Sequence, residues 1–192
     1  METAALLLFS CGVVSACAAE EAMDPLPRPD YHSQAGDPSW LAPVVQFHGH
    51  LGPAVAAGAR LGMAGRQAVD AKGYFDVEVT VEGPLEKPPQ SCFLDGVQVS
   101  TGATLGKRSL HWTPADKIVL RIRNTQTGKA AEVRPTPKLL ELLAAFKPLP
   151  KSAEPDKARR DADAHLEAIA RKIAAMPEAE AATVKILPSQ AQ

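Results

Sequence analysis

His48 and His50 stand two residues apart with a glycine between them, and Cys92 is the one cysteine beyond position 17. On an extended backbone, side chains at this spacing point to the same side, so both imidazoles are expected to face one ion. Two neutral imidazoles and a thiolate suit zinc or another transition metal such as nickel or iron. Ser91 reads as the N-cap of a helix that starts at Cys92, which would place the thiol beside unpaired N–H groups and the positive end of the helix dipole. Both effects lower a thiol pKa and favour the metal-binding thiolate. The expected metal ligands are therefore His48, His50 and Cys92.

Asp95 lies one turn beyond Cys92 and Gln98 one turn further, so a carboxylate and an amide can flank the thiolate as ligand, proton carrier or substrate contact. Lys107, after Gly106, can bring a positive charge to substrate. Asp95 and Lys107 are the expected catalytic side chains. Three protein ligands leave one position open, the arrangement of a catalytic rather than a structural site. The simpler alternative is that both histidines cap loops and that Cys92 is a small core residue. Gly102 to Lys107 imitates a phosphate loop, but its glycine interval is one residue short and Arg108 stands where Ser or Thr is required, which excludes nucleotide binding of that kind. His111, His165, the Arg121/Arg123 pair and the charges at 157–160 read as solvated or capping groups.

These residues need elements to hold them. Trp40 to Gln46 is apolar and leads into the histidine turn. Pro53 suits the first position of a helix that runs to about Lys72 and stops at Gly73. Its stripe of Val55, Gly58, Gly62, Gly65 and Val69 is nearly all small and permits close approach of a neighbour. Phe75, Val77, Val79 and Val81 alternate with polar residues as a strand does. A helix is expected over Cys92–Thr101, broken by Gly102. Ile118–Arg123 and Ala130–Arg134, joined through Gly128, read as a β-hairpin. Thr136-Pro137 caps a helix from Lys138 to Phe146, and Ala162, Leu166, Ile169, Ile173 and Met176 keep a helical period up to Pro177. Thr183 to Leu187 is expected as an edge strand. The fold class is α+β, a small mixed or antiparallel sheet packed by Ala/Gly-rich helices.

The chain has 192 residues and a formal net charge of -1, which leaves no broad basic field for nucleic acid. Ala4 to Ala19 is an uncharged apolar run, short for a membrane span and of the right length for a signal-peptide core. Val14-Ser15-Ala16-Cys17 resembles a bacterial lipobox, so Cys17 is a candidate lipid anchor, and Ala16-Cys17-Ala18 also fits ordinary signal cleavage. Met1-Glu2-Thr3 lacks the usual Lys or Arg. The expected organisation is a signal over 1–19, a flexible tether over 20–38, a core over 39–148, and a linker, helix and short strand over 149–192. Location is then periplasmic or membrane-anchored, where Cys92 is left as a lone thiol.

Phe47-His48-Gly49-His50-Leu51-Gly52-Pro53, together with Cys92-Phe93-Leu94-Asp95-Gly96-Val97-Gln98 and the run from Thr101 to Lys107, resembles the paired signatures of the FmdE family, which takes its name from formylmethanofuran dehydrogenase. His165 to Pro177 and the strand after it resemble the family's tail, so the likeness covers about Trp40 to Leu187. It implies an α+β core, often a homodimer, with a metal such as zinc near its His and Cys residues. Gly52 and Ala103 stand where many relatives carry cysteines, so a cysteine-rich redox version of the site cannot be assembled here. The expectation is an exported metal-binding protein, either an enzyme acting on a small molecule whose reaction is unknown or a non-catalytic carrier lipoprotein.

Overall fold

The computed structural model describes residues 26–29, 31–145 and 155–188. The expected signal segment with Cys11 and Cys17, the start of the tether, and the linker up to residue 154 lie outside the described residues. Among the described residues, no helix is long and apolar enough to cross a membrane.

The architecture is α+β, as the sequence pattern requires. The apolar run after Trp40 forms helix α1 (Leu41–His48), which ends where Gly49 turns at φ 94° and donates its N–H to the Val45 carbonyl at 2.7 Å. Helix α2 (Pro53–Ala68) starts with Pro53 in its first turn. It stops short of Lys72 because the Asp70 and Ala71 amides bond back to Gln67 and Arg66, three and five residues earlier instead of four, with Asp70 left-handed at φ 52°.

Strand β1 (Val77–Glu82) begins two residues later than the alternation suggests. Tyr74 sits at φ 66° and the Phe75 amide closes a tight turn onto the Gly73 carbonyl, so Phe75 stays out of the sheet. From there Val77, Val79 and Val81 point inward and are buried. Helix α3 (Cys92–Thr101) and strand β2 (Leu110–Thr113) follow, β2 lying parallel to β1 after the crossover through α3. The expected hairpin forms as β3 (Val119–Asn124) and β4 (Ala130–Pro135). Thr136 caps α4 (Pro137–Ala144) by accepting the Leu139 amide at 3.2 Å. Helix α5 (Pro155–Ala175), a short α6 (Glu178–Ala181) and edge strand β5 (Ala182–Leu187) complete the described chain. The strands order as β2-β1-β3-β4-β5, antiparallel except at the β1/β2 edge.

Helix α2 is the hub. One side lies on the sheet, where a β-carbon at Gly65 would come within 2.9 Å of Ile122 Cγ2. Its other side meets α3 almost backbone to backbone: a β-carbon at Gly58 would sit 2.0 Å from the Phe93 carbonyl oxygen, and one at Gly96 would sit 2.0 Å from that of Val55. The small-residue stripe is thus a seam that fixes where α3 lies. The opposite face of the sheet carries charge pairs, with Arg121 gripped by Glu82 and Glu132 and Arg123 bonded to Glu78 at 2.8 Å.

The end of the expected tether is held rather than free. Arg171 on α5 bonds both carboxylate oxygens of Asp37, at 3.1 and 3.3 Å, and donates to the His32 carbonyl at 3.1 Å. Tyr31 gives its hydroxyl hydrogen to Asp37 and lies under the guanidinium.

Candidate functional site

Two short stretches far apart in the chain meet because α1 and α3 both pack against α2. The end of α1 delivers His48, and the first two turns of α3 deliver Cys92, Asp95 and Gln98. His48 Nδ1 lies 2.7 Å from Asp95 Oδ2. A carboxylate only accepts, so Nδ1 carries the hydrogen, and in the uncharged tautomer the lone pair is then at Nε2. The His48 side chain is only 9% exposed. Its Nε2 is buried and has no hydrogen-bond partner among the described residues. A buried, unpaired ring nitrogen is costly unless something occupies it. Gln98 Nε2 donates to the other Asp95 oxygen at 3.4 Å, a weaker contact that leaves Oδ2 for the histidine.

The two imidazoles do come together, though not by the extended backbone that their spacing suggests. His48 ends a helix, Gly49 reverses the chain in a left-handed turn, and His50 folds back so that the ring centroids are 4.7 Å apart at 41°. His50 is exposed as a residue, yet its ring lies over Gly52, with Nε2 3.1 Å from where a β-carbon there would be. The covered part of the ring lowers its pKa, and the neighbouring His48 lowers it further, against the opposing charges of Asp163 and Glu167. The balance favours the uncharged ring, the form that acts as a ligand.

Cys92 corrects the expectation drawn from its helix position. It is the first residue of α3, but Ser91 makes no side-chain cap, and the first-turn amides are already spent. Those of Cys92, Phe93 and Leu94 bond to the carbonyls of Pro89, Gln90 and Ser91. The thiol is half-buried against the small apolar group of Val44, Val55 and Ala59. Burial, and then the negative charge of Asp95, push its pKa up rather than down. At neutral pH it is a thiol that needs a metal, or another nearby cation, to ionise.

His48, Cys92, Asp95 and Gln98 line one cleft of about 410 Å³. Apart from Ser91 its remaining walls are apolar and include Leu94, Leu105, Leu110 and Trp112, whose indole N–H is held by the Gly83 carbonyl at 3.2 Å. Sequence reasoning missed this wall; the one local signal was an exposed-type Leu-His-Trp-Thr run with no strand pattern of its own. Lys107 does not line the cleft. Its ammonium donates to the Gly102 carbonyl and lies 5.5 and 5.1 Å from the ring centroids of Tyr74 and Phe75. Among the described residues, no three His, Cys, Asp or Glu side chains are gathered closely enough to hold a metal as they stand. The donor set nevertheless fits such an ion at its anchor: an oriented imidazole with an unpartnered buried Nε2, a second imidazole beside it, and a thiol on the same cleft as the first.

Comparison with known proteins identifies the family. A 93-residue stretch, 48% of this chain, is 32% identical to a probable S-adenosyl-L-methionine-binding protein of Archaeoglobus fulgidus. That stretch spans 25% of the relative's own length. Residues 47–183, from the histidine turn to the last strand, match the family described as FmdE, molybdenum formylmethanofuran dehydrogenase operon. The chain belongs to the FmdE family.

Proposed function

We propose that this protein binds a transition-metal ion, zinc by preference with nickel or iron as alternatives, through His48 Nε2, His50 and Cys92. The observation that carries the reading is the orphaned, buried Nε2 of a histidine whose other nitrogen is fixed by a carboxylate. Histidine ligands of metals commonly donate their second N–H to a carboxylate, which sets the tautomer and raises ligand basicity. Asp95 is accordingly a positioning residue, and Lys107, turned towards Tyr74 and Phe75, has no part in the chemistry. When bound, the ion would supply Lewis acidity to a small molecule in the cleft. Trp112, Leu105 and Leu110 exclude water from that molecule's apolar part, and Gln98 offers it an amide.

The cleft beside Cys92 favours an enzyme over a pure metal carrier, which has no use for a pocket next to its ion. S-adenosylmethionine binding is not carried over from the Archaeoglobus protein, because the shared stretch is a quarter of that protein. The apolar Ala4–Ala19 run supports export, placing the site in the periplasm or at its membrane.

The test is metal content. Protein purified without chelators, and chelated protein titrated with zinc, nickel or iron, should hold one ion per chain. The paired change His50→Ala with Cys92→Ala should abolish this, and Asp95→Asn should weaken affinity by about 10–100-fold. No stoichiometric ion, or an ion that survives the double change, overturns the proposal.

A further inference from the structure

Tyr74, Phe75 and Leu105 are 67%, 85% and 71% exposed, an unusual concentration of large apolar side chains on two abutting loops. The loops are built to hold them outward. The buried Asp76 carboxylate accepts the Lys72 and Gly73 amides at 2.8 and 2.7 Å, and the Tyr74 amide donates to the Thr101 carbonyl at 3.0 Å. Tyr74 is thereby kept in a left-handed conformation that a non-glycine residue rarely adopts. Gly102, at φ 71°, lets the second loop come so close that a β-carbon there would lie 2.7 Å from the Tyr74 amide nitrogen. Lys107 lies over both aromatic rings, and Arg108 and Lys72 are exposed on the same two loops. Against these three cations the loops carry one carboxylate, Asp76, which is buried and engaged by backbone amides.

From this surface we infer that the loops at 72–76 and 104–108 dock the protein on an anionic lipid bilayer, the rings and Leu105 entering the headgroup layer. Aromatic and aliphatic side chains rimmed by Lys and Arg match that layer in polarity and charge. Three projecting side chains are too few for a stable protein interface, which needs roughly 800 Å² on each partner. A bilayer requires only shallow insertion. Leu105 belongs both to this surface and to the cleft wall, so docking sets the cleft mouth against the membrane.

The experiment uses the full chain and vesicles of phosphatidylcholine, alone or with about 30% phosphatidylglycerol, an anionic surface of the kind that attracts Lys and Arg. Wild-type protein is expected to partition onto the anionic vesicles, with hydrogen-exchange protection gained at 72–76 and 104–108. Phe75→Ser with Leu105→Ser should lower partitioning at least tenfold, and Lys107→Gln or Arg108→Gln about fivefold each. Unchanged thermal unfolding of these exposed variants keeps the comparison valid. Equal binding by wild type and variants, as the apolar Ala4–Ala19 run alone would give, overturns the inference, as does vesicle binding without protection at the two loops. Protection that appears without vesicles and rises with protein concentration assigns the surface to a second copy of the chain and overturns it as well.

Discussion

Gly96→Ala tests the seam on which the site depends. The added β-carbon would lie 2.0 Å from the Val55 carbonyl oxygen and 2.6 Å from the Ala59 amide nitrogen, where ordinary contact begins at 3.4 Å. Both obstructing atoms are α2 backbone, so no side chain can rotate away, and α3 must move by about an ångström. Overpacking of this kind costs about 1–3 kcal/mol, and with backbone on the far side the upper end applies. The helix-propensity gain of alanine over glycine returns about 1 kcal/mol. The net loss is then about 2 kcal/mol, or roughly 4–8 °C in melting temperature for a chain of this size. The same displacement carries Asp95 off the 2.7 Å bond to His48, so metal affinity should fall with stability. Gly106→Ala is the control, since nothing lies within 4 Å of a β-carbon there. Calorimetry of both variants decides the matter: a Gly96→Ala protein that melts with wild type, or a Gly106→Ala protein that melts equally early, refutes the seam.

Asp95→Asn should lower the Cys92 thiol pKa, because it removes the charge that acts second to burial in raising it; in metal-free protein the pH profile of iodoacetamide alkylation should move to lower pH. Asp76 is held below the ordinary carboxylate value by the Lys72 amide, against its own burial, with the Gly73 amide adding to the effect. Its contribution is therefore present above the unfolded carboxylate pKa and lost as pH falls through the folded one. Denaturant unfolding should show Asp76→Asn less stable by about 2 kcal/mol at pH 7, the gap closing below about pH 4. Burial alone would raise the Asp37 pKa, but the Gln34 amide, the Tyr31 hydroxyl and Arg171 outweigh it and hold it low. Asp37→Ala strands much of a half-enclosed guanidinium that keeps Glu167 at 2.6 Å, so the loss should be about 2 kcal/mol, less than for a fully orphaned charge, with faster proteolysis before residue 40.

Much of this fold is written in local pattern. The alternation of Val77, Val79 and Val81 announces β1, Thr136-Pro137 announces α4, and the glycines of α2 announce a close neighbour without naming it. What local pattern cannot carry is pairing across distance. The His48 to Asp95 bond spans 47 positions and exists only because two helices share α2. Strand β2, four residues with a histidine and a tryptophan, has no signature apart from the parallel partner that receives it. The thiol of Cys92 departs from expectation for a related reason: helix position suggests free amides, while the turn at Pro89–Ser91 consumes them. Neighbours in sequence point Lys107 towards the site, but its ammonium goes to the aromatic rings across the fold.

The charged face of the sheet bears on how the strands find one another. Side chains alternate along β3, so moving that strand one residue along β1 would turn Arg121 and Arg123 into the aliphatic layer under α2 and expose Leu120 and Ile122. A misaligned sheet would have to desolvate two guanidinium groups with no acid opposite them. The ladder of Glu78, Glu82 and Glu132 thus acts as a proofreader of alignment, and its worth lies in the wrong structures it forbids more than in the few tenths of a kcal/mol an exposed ion pair lends the right one.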